Sequence, residues 1–234
     1  MEKKKYIYSD QSSLWGDPEL LGFGNENFYI KEVDRNLAND IIVKNHYSKK
    51  FYNATYIHLG LFYNDVLMGV LQYGYAMNPA SCGSVVKGTK KDEYLELNRM
   101  WLSDDLDNYI KYAESQAISM SLKYIRRKYP KIKWIQSFAD ERCGGYGIVY
   151  QACSFSYYGE HESVFWELDG EVYHNSLMTR NPNLSKSAKR LQDNKENAKS
   201  YSLRQFRYIK FLDQREKKNC LLQEQQYLKH YKND

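Results

Sequence analysis

Hydrophobic and polar positions along this chain follow two different periods, and each change of period marks an element. From Asp34 to Ser48 the apolar residues recur at helical spacing, and Asp34 is suited to be the N-cap, so a first helix is predicted. Two strand-like runs then flank the dipeptide Asn64-Asp65. A short polar turn between two apolar runs is typical of a β-hairpin.

The second half of the pattern predicts a strand, a long helix and another strand. Apolar and polar residues alternate from Tyr94 to Ser103, as in a strand. From Asp107 to Tyr129 the apolar residues recur at helical spacing, and Pro130 ends this pattern. Lys131–Ala139 is the next apolar run. We expect the two strands to be adjacent and parallel, to diverge at their carboxyl ends, and to be joined by the helix as a right-handed crossover. A short helix (147–155) and two closing strands (157–170 and 171–178) follow. The order predicts an α/β (α+β) fold with a mixed, largely antiparallel sheet flanked by helices on both faces. It resembles the GNAT acyltransferase fold.

Composition favours one soluble domain of 234 residues with an unusual content of aromatic side chains. Tyr, Phe and Trp make up 15% of the chain, with 23 Tyr, and such side chains suit half-wet surfaces that hold planar ligands. The four Cys show neither CxxC pairs nor zinc-ligand spacing, which favours a reduced, cytoplasmic setting. No apolar run approaches the ~18 residues of a membrane-spanning helix, so no membrane association is expected.

The charge is concentrated at the end of the chain. Residues 181–234 hold 13 basic and 6 acidic residues, a net charge of +7, whereas the whole chain carries +5. This distribution predicts a catalytic body, residues 1–180, and a basic helical extension, residues 181–234, that packs in part on the body and contacts a polyanion. Basic and aromatic residues are interleaved around Arg204, Arg207 and Lys210, as suits phosphate contact with base stacking. The alternative is that the aromatic residues of this segment pack on the core and leave the charges as a solvated face.

Two stretches earlier in the chain carry further candidate chemistry. The first is KNHYSKKF, in which His46 can change charge near neutral pH or bind a metal; the structural alternative is a cationic helix end stabilised by the helix dipole. The second is YLELNRMWLS, where strand alternation places Leu97, Arg99 and Trp101 on one face. A buried arginine needs a carboxylate or an anionic ligand, so Arg99 is a candidate for either role.

A third stretch, SDDLDNYIKYAESQ, precedes the long helix at the position where GNAT proteins hold the diphosphate of coenzyme A over a Q/RxxGxG/A loop. Here that loop is acidic and has no glycine, which argues against coenzyme A binding in the usual manner. The fourth stretch is SFADERCGGYGIVYQACSF, in which Asp140 closes a strand and Tyr150 lies on the following helix. A carboxylate and a phenol so placed suit a general base and a general acid. Alternatively, Asp140 caps the helix and the glycines make the turn.

Taken together, these motifs resemble the Mom family of phage DNA-modification proteins. The stretches that carry the resemblance are HYSKKF (46–51), ELNRMW (96–101), AESQ (113–116), SFADERCGGYGIVYQACSF (137–155) and RQFRYIKFLD (204–213). The resemblance implies a GNAT-like transferase of a phage or prophage in a bacterial host. Such proteins convert the N6 amino group of adenine in double-stranded DNA to an acetamido (glycinamide-like) adduct, which protects the DNA from restriction enzymes.

The resemblance also assigns roles to individual residues. Arg99, Asp140 and Tyr150 match polar positions of the catalytic cleft, and Ser115 matches a polar position on the long helix. Arg99 and Ser115 are thereby the candidates for holding the acyl or aminoacyl donor, for which acetyl-CoA and glycyl-tRNA both remain open. The His46-Tyr47 pair also matches catalytic positions, and it is where iron binding to His46 is implied. Gly145-Tyr146 departs from the His/Gly-type pair expected there.

An adenine within a duplex must be flipped out and held by stacking before it can react. Tyr47, Tyr73 and Tyr146 are candidate stacking faces, and Lys49 and Lys50, with the basic segment, are candidates for phosphate contact. The oligomeric state stays open, a homodimer included. Two other functions remain: a conventional GNAT N-acetyltransferase acting on a protein or small-molecule amine, and a non-catalytic nucleic-acid-binding protein.

Overall fold

The computed structural model describes residues 22–228, in which nine strands form a single sheet in the order β1-β2-β3-β4-β5-β6-β9-β7-β8. Residues 1–21 of the predicted body and 229–234 of the predicted extension lie outside the described residues. The strands are β1 Gly22–Gly24, β2 Phe28–Glu32, β3 Thr55–Tyr63, β4 Val66–Gly74, β5 Tyr94–Leu102, β6 Trp134–Asp140, β7 Ser156–Leu168, β8 Glu171–His174 and β9 Lys199–Phe211. The helices are α1 Arg35–Asn45, α2 Cys82–Val85, α3 Ala113–Lys128, α4 Ile148–Ala152, α5 Ser176–Thr179 and α6 Lys186–Asp193. Across residues 22–228, every helix is too short or too polar to cross a membrane.

The first helix and the hairpin form as predicted. Asp34 caps α1 by accepting a hydrogen bond from the backbone N–H of Asn36 at 2.7 Å. The helix ends at Asn45, so the segment that begins with His46 is a loop. Strands β3 and β4 pair antiparallel around Asn64 and Asp65, whose φ angles of 48° and 65° are those that a tight two-residue hairpin turn requires.

Strands β5 and β6 are adjacent and parallel, and they diverge. Their pairing covers only Tyr94–Glu96 against Trp134–Gln136, after which both strands continue without pairing to each other. The mixed GNAT-like sheet with α3 as the crossover is thus confirmed. Helix α3 begins at Ala113 and not at Asp107, because a 3₁₀ turn comes first and Tyr112 has a left-handed φ of 58°.

A β-bulge in β5 changes which side chains share a face. Leu97 pairs with Tyr73 of β4 and Arg99 pairs with the next residue back, Gln72, so Asn98 is left unpaired. Leu97 packs in the core cluster beneath α3, whereas Arg99 lies with Gln72 on the face that α1 covers. The prediction that Leu97 and Arg99 share a face was therefore wrong, because simple alternation fails at a bulge.

The segment predicted as a helical extension contains a central strand. Strand β9 pairs antiparallel with β6 on one side and with β7 on the other. Phe206 and Tyr208 are buried in one core cluster, and Ile209 and Phe211 in a second cluster on the opposite face. Residues 199–211 are thus part of the sheet, since burial of apolar side chains on both faces favours a central strand. The prediction of a helical extension was wrong for residues 199–211, although the extension does contain the helix α6. The alternative, that the aromatic residues of this segment pack on the core, is confirmed.

Candidate active site

Asp140, at the end of β6, is the centre of a hydrogen-bonded group. It is 7% exposed and accepts the backbone N–H of Arg142 at 3.0 Å, which caps the 3₁₀ turn that follows β6. The guanidinium of Arg142 donates to both carboxylate oxygens, from Nε at 3.0 Å and from Nη2. The hydroxyl of Tyr47 donates to Oδ2 at 3.4 Å. Asp140 therefore holds Arg142 and Tyr47 in place, and its lone pairs are occupied.

The guanidinium of Arg142 also packs against two aromatic rings. Its guanidinium lies 4.3 Å from the ring centre of Phe165 and 5.2 Å from that of Tyr47. The pKa of Arg142 is raised, because Asp140 outweighs the opposing effect of burial. For Tyr47, burial and then the Asp140 charge raise the pKa, so its phenol stays protonated and can donate.

His46 is a buried, neutral neighbour of this group. Its ring lies 4.2 Å from that of Tyr47, and its Nδ1 accepts the backbone N–H of Ser48 at 3.1 Å. Because a backbone N–H can only donate, the proton of the neutral ring is on Nε2. Burial and the charges of Arg99, Arg142 and Lys49 lower the pKa of His46 to about 4.

This depressed pKa predicts a loss of stability in mild acid. The folded state keeps His46 neutral while the unfolded chain takes up a proton below about pH 6.5, so the free energy of unfolding should fall between pH 6.5 and about 4. At ~1.4 kcal/mol per pKa unit, the contribution is up to about 3 kcal/mol. Chemical denaturation of the wild type and of His46→Gln at several pH values measures it, and the variant should show a shallower fall.

His174 provides the matched control for this measurement. It forms the same turn, its Nδ1 accepting the backbone N–H of Ser176 at 3.1 Å, but Arg142 alone contributes a lowering charge. His174→Gln should therefore flatten the pH dependence less than His46→Gln does. Equal effects of the two substitutions would contradict this account of the cations around His46.

The iron site expected at His46 is not supported by the ligands available. Among residues 22–228 no group of three or more His, Cys, Asp and Glu side chains could hold a metal ion. The Nδ1 lone pair of His46 is taken by Ser48, and the surrounding charges of Arg99, Arg142 and Lys49 oppose a further cation. The residues present do not fit iron.

Arg99 lies beside this group without a carboxylate partner. Its Nη1 donates to the carbonyl of Asn98 at 2.6 Å and its Nε to that of Lys50 at 3.3 Å, and the guanidinium lies 5.9 Å from the ring centre of Tyr52. Burial is the main reason that its pKa is lowered. Within the described part of the chain Arg99 makes no ion pair, so its charge is available to an anionic group of a ligand.

Tyr150 and Ser115 lie on the α3 side of the sheet. Burial raises the pKa of Tyr150 to about 12, with smaller contributions from the charges of Cys143 and Glu96, while a hydrogen bond with Ser137 opposes the shift. These neighbours place its hydroxyl near the divergence of β5 and β6. The hydroxyl of Ser115 donates to the Tyr112 carbonyl at 3.0 Å, a local contact in the first turn of α3. Within residues 22–228 neither hydroxyl forms a hydrogen bond with Asp140, so convergence of all the predicted catalytic residues stays a prediction.

Gly147 has a structural reason for its identity. Its φ of 80° favours glycine, and a Cβ there would lie 2.5 Å from a ring carbon of Tyr208. The structural alternative, in which Asp140 is a cap and the glycines form the turn, is therefore part of the explanation of this junction. Gly147 is needed for the turn, and Asp140 caps the 3₁₀ turn.

The residues predicted to contact DNA differ in how accessible they are. Tyr73 is fully buried, with its hydroxyl 2.5 Å from that of Ser121, so the prediction that it stacks on a base was wrong. Tyr146 is half-buried and packs edge-on against Phe206. Tyr47 keeps half of its surface exposed.

Three predicted phosphate contacts are engaged within the sheet. Arg204 pairs with Glu141 at 2.7 Å and Glu160 at 3.5 Å. Lys210 donates to two backbone carbonyls, those of residues 153 and 154, at 3.1 and 3.0 Å. Half-buried Arg207 lies 5.2 Å from the ring centre of Phe138. These partners, which are distant in sequence, engage all three side chains within the fold, and phosphate contact by this segment stays a prediction.

The two lysines of the loop after α1 lie at the edge of the cleft. Lys49 has a left-handed φ of 50° and donates to the Lys44 carbonyl at 2.6 Å. Lys50 donates to the Val172 carbonyl at 3.1 Å and forms an exposed ion pair with Glu171 at 3.7 Å. Such exposed contacts are weak, so both lysines can exchange them for phosphates.

The start of α3 does not fit the diphosphate of coenzyme A. Three acidic residues occupy the 3₁₀ turn before it, Asp104, Asp105 and Asp107, and Glu114 lies in its first turn. The pKa of Glu114 is raised by burial and by the charges of Asp107 and Asp104, which shows a negative potential at this position. A diphosphate would add more negative charge there.

Arg142 and Glu96 are residues of the site to which the sequence patterns assigned no role. The signal for Arg142 is its position two residues after Asp140, which lets one side chain reach back to cap and pair with the other. The signal for Glu96 is a carboxylate between the apolar residues Leu95 and Leu97.

The topology and the cleft at the diverging strands define a GNAT-like fold. Residues 27–229 match the model of the Mom protein family. Methylcarbamoylase mom of Escherichia phage Mu is 45% identical over 217 residues, which cover 93% of this chain and 89% of that protein. The chain belongs to the Mom protein family.

Solved structures with a similar fold are distant in sequence. The ribosomal-protein-S5-alanine acetyltransferase of Vibrio fischeri has a TM-score of 0.46 and 10% identity, covering 82% of this chain and 97% of that one. An N-acetyltransferase of Staphylococcus aureus has a TM-score of 0.46 and 13% identity, covering 80% and 99%.

Proposed function

We propose that this protein is a phage-type transferase that modifies the N6 amino group of adenine in double-stranded DNA and so protects that DNA from restriction. The observation that carries the proposal is the 45% identity to a phage Mu methylcarbamoylase over nearly the whole chain. The cleft supports it with the Asp140-Arg142-Tyr47 group and with an Arg99 that has no carboxylate partner. A phage or prophage protein with this substrate acts in the cytoplasm of the bacterial host.

The relative's name indicates the group transferred. A methylcarbamoyl group binds N6 through its carbonyl carbon, whereas an acetamido (glycinamide-type) group binds it through a methylene carbon. The two adducts are isomers, so the same increase in mass fits both. A methylcarbamoyl adduct requires attack by nitrogen on a carbonyl carbon, which is acyl-type chemistry and the more natural extension of a GNAT-like fold.

The donor that this adduct requires is an activated methylcarbamoyl compound, such as an ester or thioester of methylcarbamic acid. Arg99 is placed to hold an anionic or carbonyl oxygen of the donor, and Tyr150, whose pKa is about 12, to protonate the leaving group. Because Asp140 is occupied by Arg142 and Tyr47, we assign it the positioning of these two side chains. The acidic turn before α3 disfavours a donor anchored there by a diphosphate.

Exposed basic side chains of the segment that follows β8 are suited to hold the DNA backbone. Arg180, Lys186, Lys189, Lys195 and Lys199 are exposed, and they form no ion pair within residues 22–228. Burial raises the pKa of Tyr52, the residue against which Arg99 lies, and the charge of Arg180 opposes this rise, so Arg180 lies near the edge of the cleft. Exposed, unpaired cations release counterions when they bind phosphates.

This surface predicts how salt affects DNA binding. Replacing Lys186, Lys189 and Lys195 together with Gln should weaken binding and lower the slope of log K against log salt by up to ~0.9 per lost phosphate contact. Fluorescence anisotropy with a labelled duplex at several salt concentrations measures the slope.

The matched control is the triple Gln variant of Arg204, Arg207 and Lys210. These side chains are engaged within the sheet, so their loss should lower the melting temperature and leave the salt slope of the folded protein nearly unchanged. A large slope change in this variant, with none in the Lys186/Lys189/Lys195 variant, would contradict the assignment of the DNA surface.

Restriction of plasmid DNA tests the proposed function in cells. Plasmid from bacteria that express the wild type should resist restriction enzymes whose sites contain adenine, and plasmid from cells that express Asp140→Asn should be cut. Full sensitivity of both plasmids, with folded wild-type protein present, would contradict the proposal. DNA binding that is retained with no altered nucleoside would favour a non-catalytic binding protein.

A further inference from the structure

Three side chains at the point where β5 and β6 part form a second polar cluster, which we call the Glu96 cluster: Glu96, Asn98 and Gln136. Glu96 and Gln136 oppose each other in the last paired position before the strands diverge, and Asn98 is the unpaired residue of the bulge. Asn98 Nδ2 donates to Glu96 Oε1 at 3.0 Å, and Gln136 Nε2 donates to Glu96 Oε2 at 2.9 Å. Because the amide nitrogens face the carboxylate, the amide oxygens point away from it.

These two amide oxygens are orphaned. Gln136 is 6% exposed, and both Gln136 Oε1 and Asn98 Oδ1 are buried without a hydrogen-bond partner. A buried acceptor without a donor is unfavourable, and in a native protein it calls for a ligand or a water. The cluster therefore presents hydrogen-bond acceptors, and the ligand group that complements it is one with N–H bonds to donate.

The electrostatics suit Glu96 for proton transfer near neutral pH. Burial raises the pKa of Glu96 to about 7, and Gln136, Asn98, Arg99 and Arg207 limit the rise. Within residues 22–228 no cation lies within ion-pair distance of its carboxylate, and the side chain is half-buried, so a ligand in the cleft can reach it. Asp140, in contrast, has its oxygens taken by Arg142 and Tyr47.

We propose that the Glu96 cluster holds the nucleophilic amino group, with Glu96 as the base that takes its proton. The proposal rests on the proposed function and specifies how the substrate is held. One N–H of the adenine amino group is donated to Glu96 and the other to the orphaned oxygen of Gln136 or Asn98. A base that carries a carbonyl oxygen in place of the amino group has no N–H to donate to Glu96 or to the unpaired amide oxygens, so the cluster favours an exocyclic amino group.

The transfer step balances with a methylcarbamoyl ester or thioester, in which the carbonyl carbon bears the methylamino group, as the co-substrate. The N6 nitrogen forms a bond to the carbonyl carbon of the donor, and the bond from this carbon to the leaving group breaks with its electron pair on the leaving group. The N6 proton passes to the Glu96 carboxylate. Tyr150 protonates the leaving group, and exchange with solvent then returns a proton to Tyr150 and removes the proton from Glu96.

Glu96→Gln tests the role of the carboxylate. In a buffered lysate of the host bacterium, which supplies the donor, and with a duplex that the wild type modifies, the variant should be about 100-fold to 1,000-fold slower, and Glu96→Asp should recover part of the rate. The wild-type rate should rise with pH and level off above about pH 7, and Glu96→Gln should lack this step. Glu93→Gln, which removes an ion pair with Lys133 at the start of β5, should keep the wild-type rate and pH profile.

Binding without a donor tests the cluster separately from the chemistry. Binding is compared between this duplex and a second one in which purine replaces the target adenine, so that a hydrogen atom replaces the amino group. The wild type should prefer adenine by about 10-fold to 100-fold, the effect of two hydrogen bonds, and Gln136→Leu should lose part of this preference. A folded Glu96→Gln with the wild-type rate and pH profile overturns this proposal alone. A wild type that leaves DNA unmodified overturns both it and the proposed function.

Discussion

Replacing Asp140 with Asn is expected to lower DNA modification by at least about 100-fold, because a displacement of even ~1 Å in a positioned group can cost that much. Asparagine offers one acceptor oxygen where Asp140 offers two to Arg142, and it removes the charge that Arg142 and Tyr47 face. Both side chains border the cleft, so their displacement disrupts it.

The same substitution should lower stability. It leaves the half-buried Arg142 charge unpaired, and breaking such a pair costs about 2–3 kcal/mol, at the low end for buried pairs because Arg142 stays partly solvated. Differential scanning calorimetry measures the loss, and nucleoside analysis measures the modification. Arg142→Gln should cost a similar amount, and the double variant should cost less than the sum of the two.

The chain supplies a matched control for Asp140. Asp213 forms the same contacts with Arg215, accepting its backbone N–H at 3.0 Å and its guanidinium on both oxygens, but Arg215 is 87% exposed. Asp213→Asn should therefore change stability far less than Asp140→Asn does and leave modification intact. Equal effects of the two substitutions would contradict a special role for the Asp140 pair, and so would full activity of Asp140→Asn.

Phe206→Ala is expected to have the largest effect on stability. Phe206 is fully buried in the central strand β9, which holds β6 and β7 together. Loss of a buried phenylalanine costs about 3–5 kcal/mol, because a cavity adds to the lost transfer free energy. For a chain of this size the melting temperature should fall by roughly 6–20 °C.

Phe51→Ala is the control, since Phe51 is 47% exposed and its loss leaves no enclosed cavity. Thermal unfolding followed by circular dichroism compares the two variants. A Phe206→Ala protein as stable as Phe51→Ala would contradict the placement of β9 in the sheet.

The elements fixed by local chemistry were predictable from the sequence. Asn64-Asp65 supplies the positive φ angles of a hairpin, Asp34 supplies the cap of α1, and Pro130 ends the helical pattern of α3. The diverging strands followed from handedness and element order.

The features that depend on distant partners were not predictable. Arg204 and Lys210 gave β9 the appearance of a polyanion-binding tail, because the residues that engage them, Glu141 and Glu160 for Arg204 and the carbonyls of residues 153 and 154 for Lys210, lie at least 40 positions away in sequence. The bulge at Asn98 inverted the expected face of Arg99 for a similar reason, since register is a property of two strands and not of one.

The most direct test of the central claim is tandem mass spectrometry of nucleosides from DNA of cells that express the wild type, with DNA from Asp140→Asn cells as the control. A methylcarbamoyl adduct on N6 should appear as a heavier deoxyadenosine that releases methylamine on hydrolysis, whereas the isomeric acetamido adduct would release ammonia. We predict the methylamine-releasing nucleoside in the wild type and unmodified deoxyadenosine in the control. Unmodified deoxyadenosine in both, or an adduct on another base, would contradict the claim.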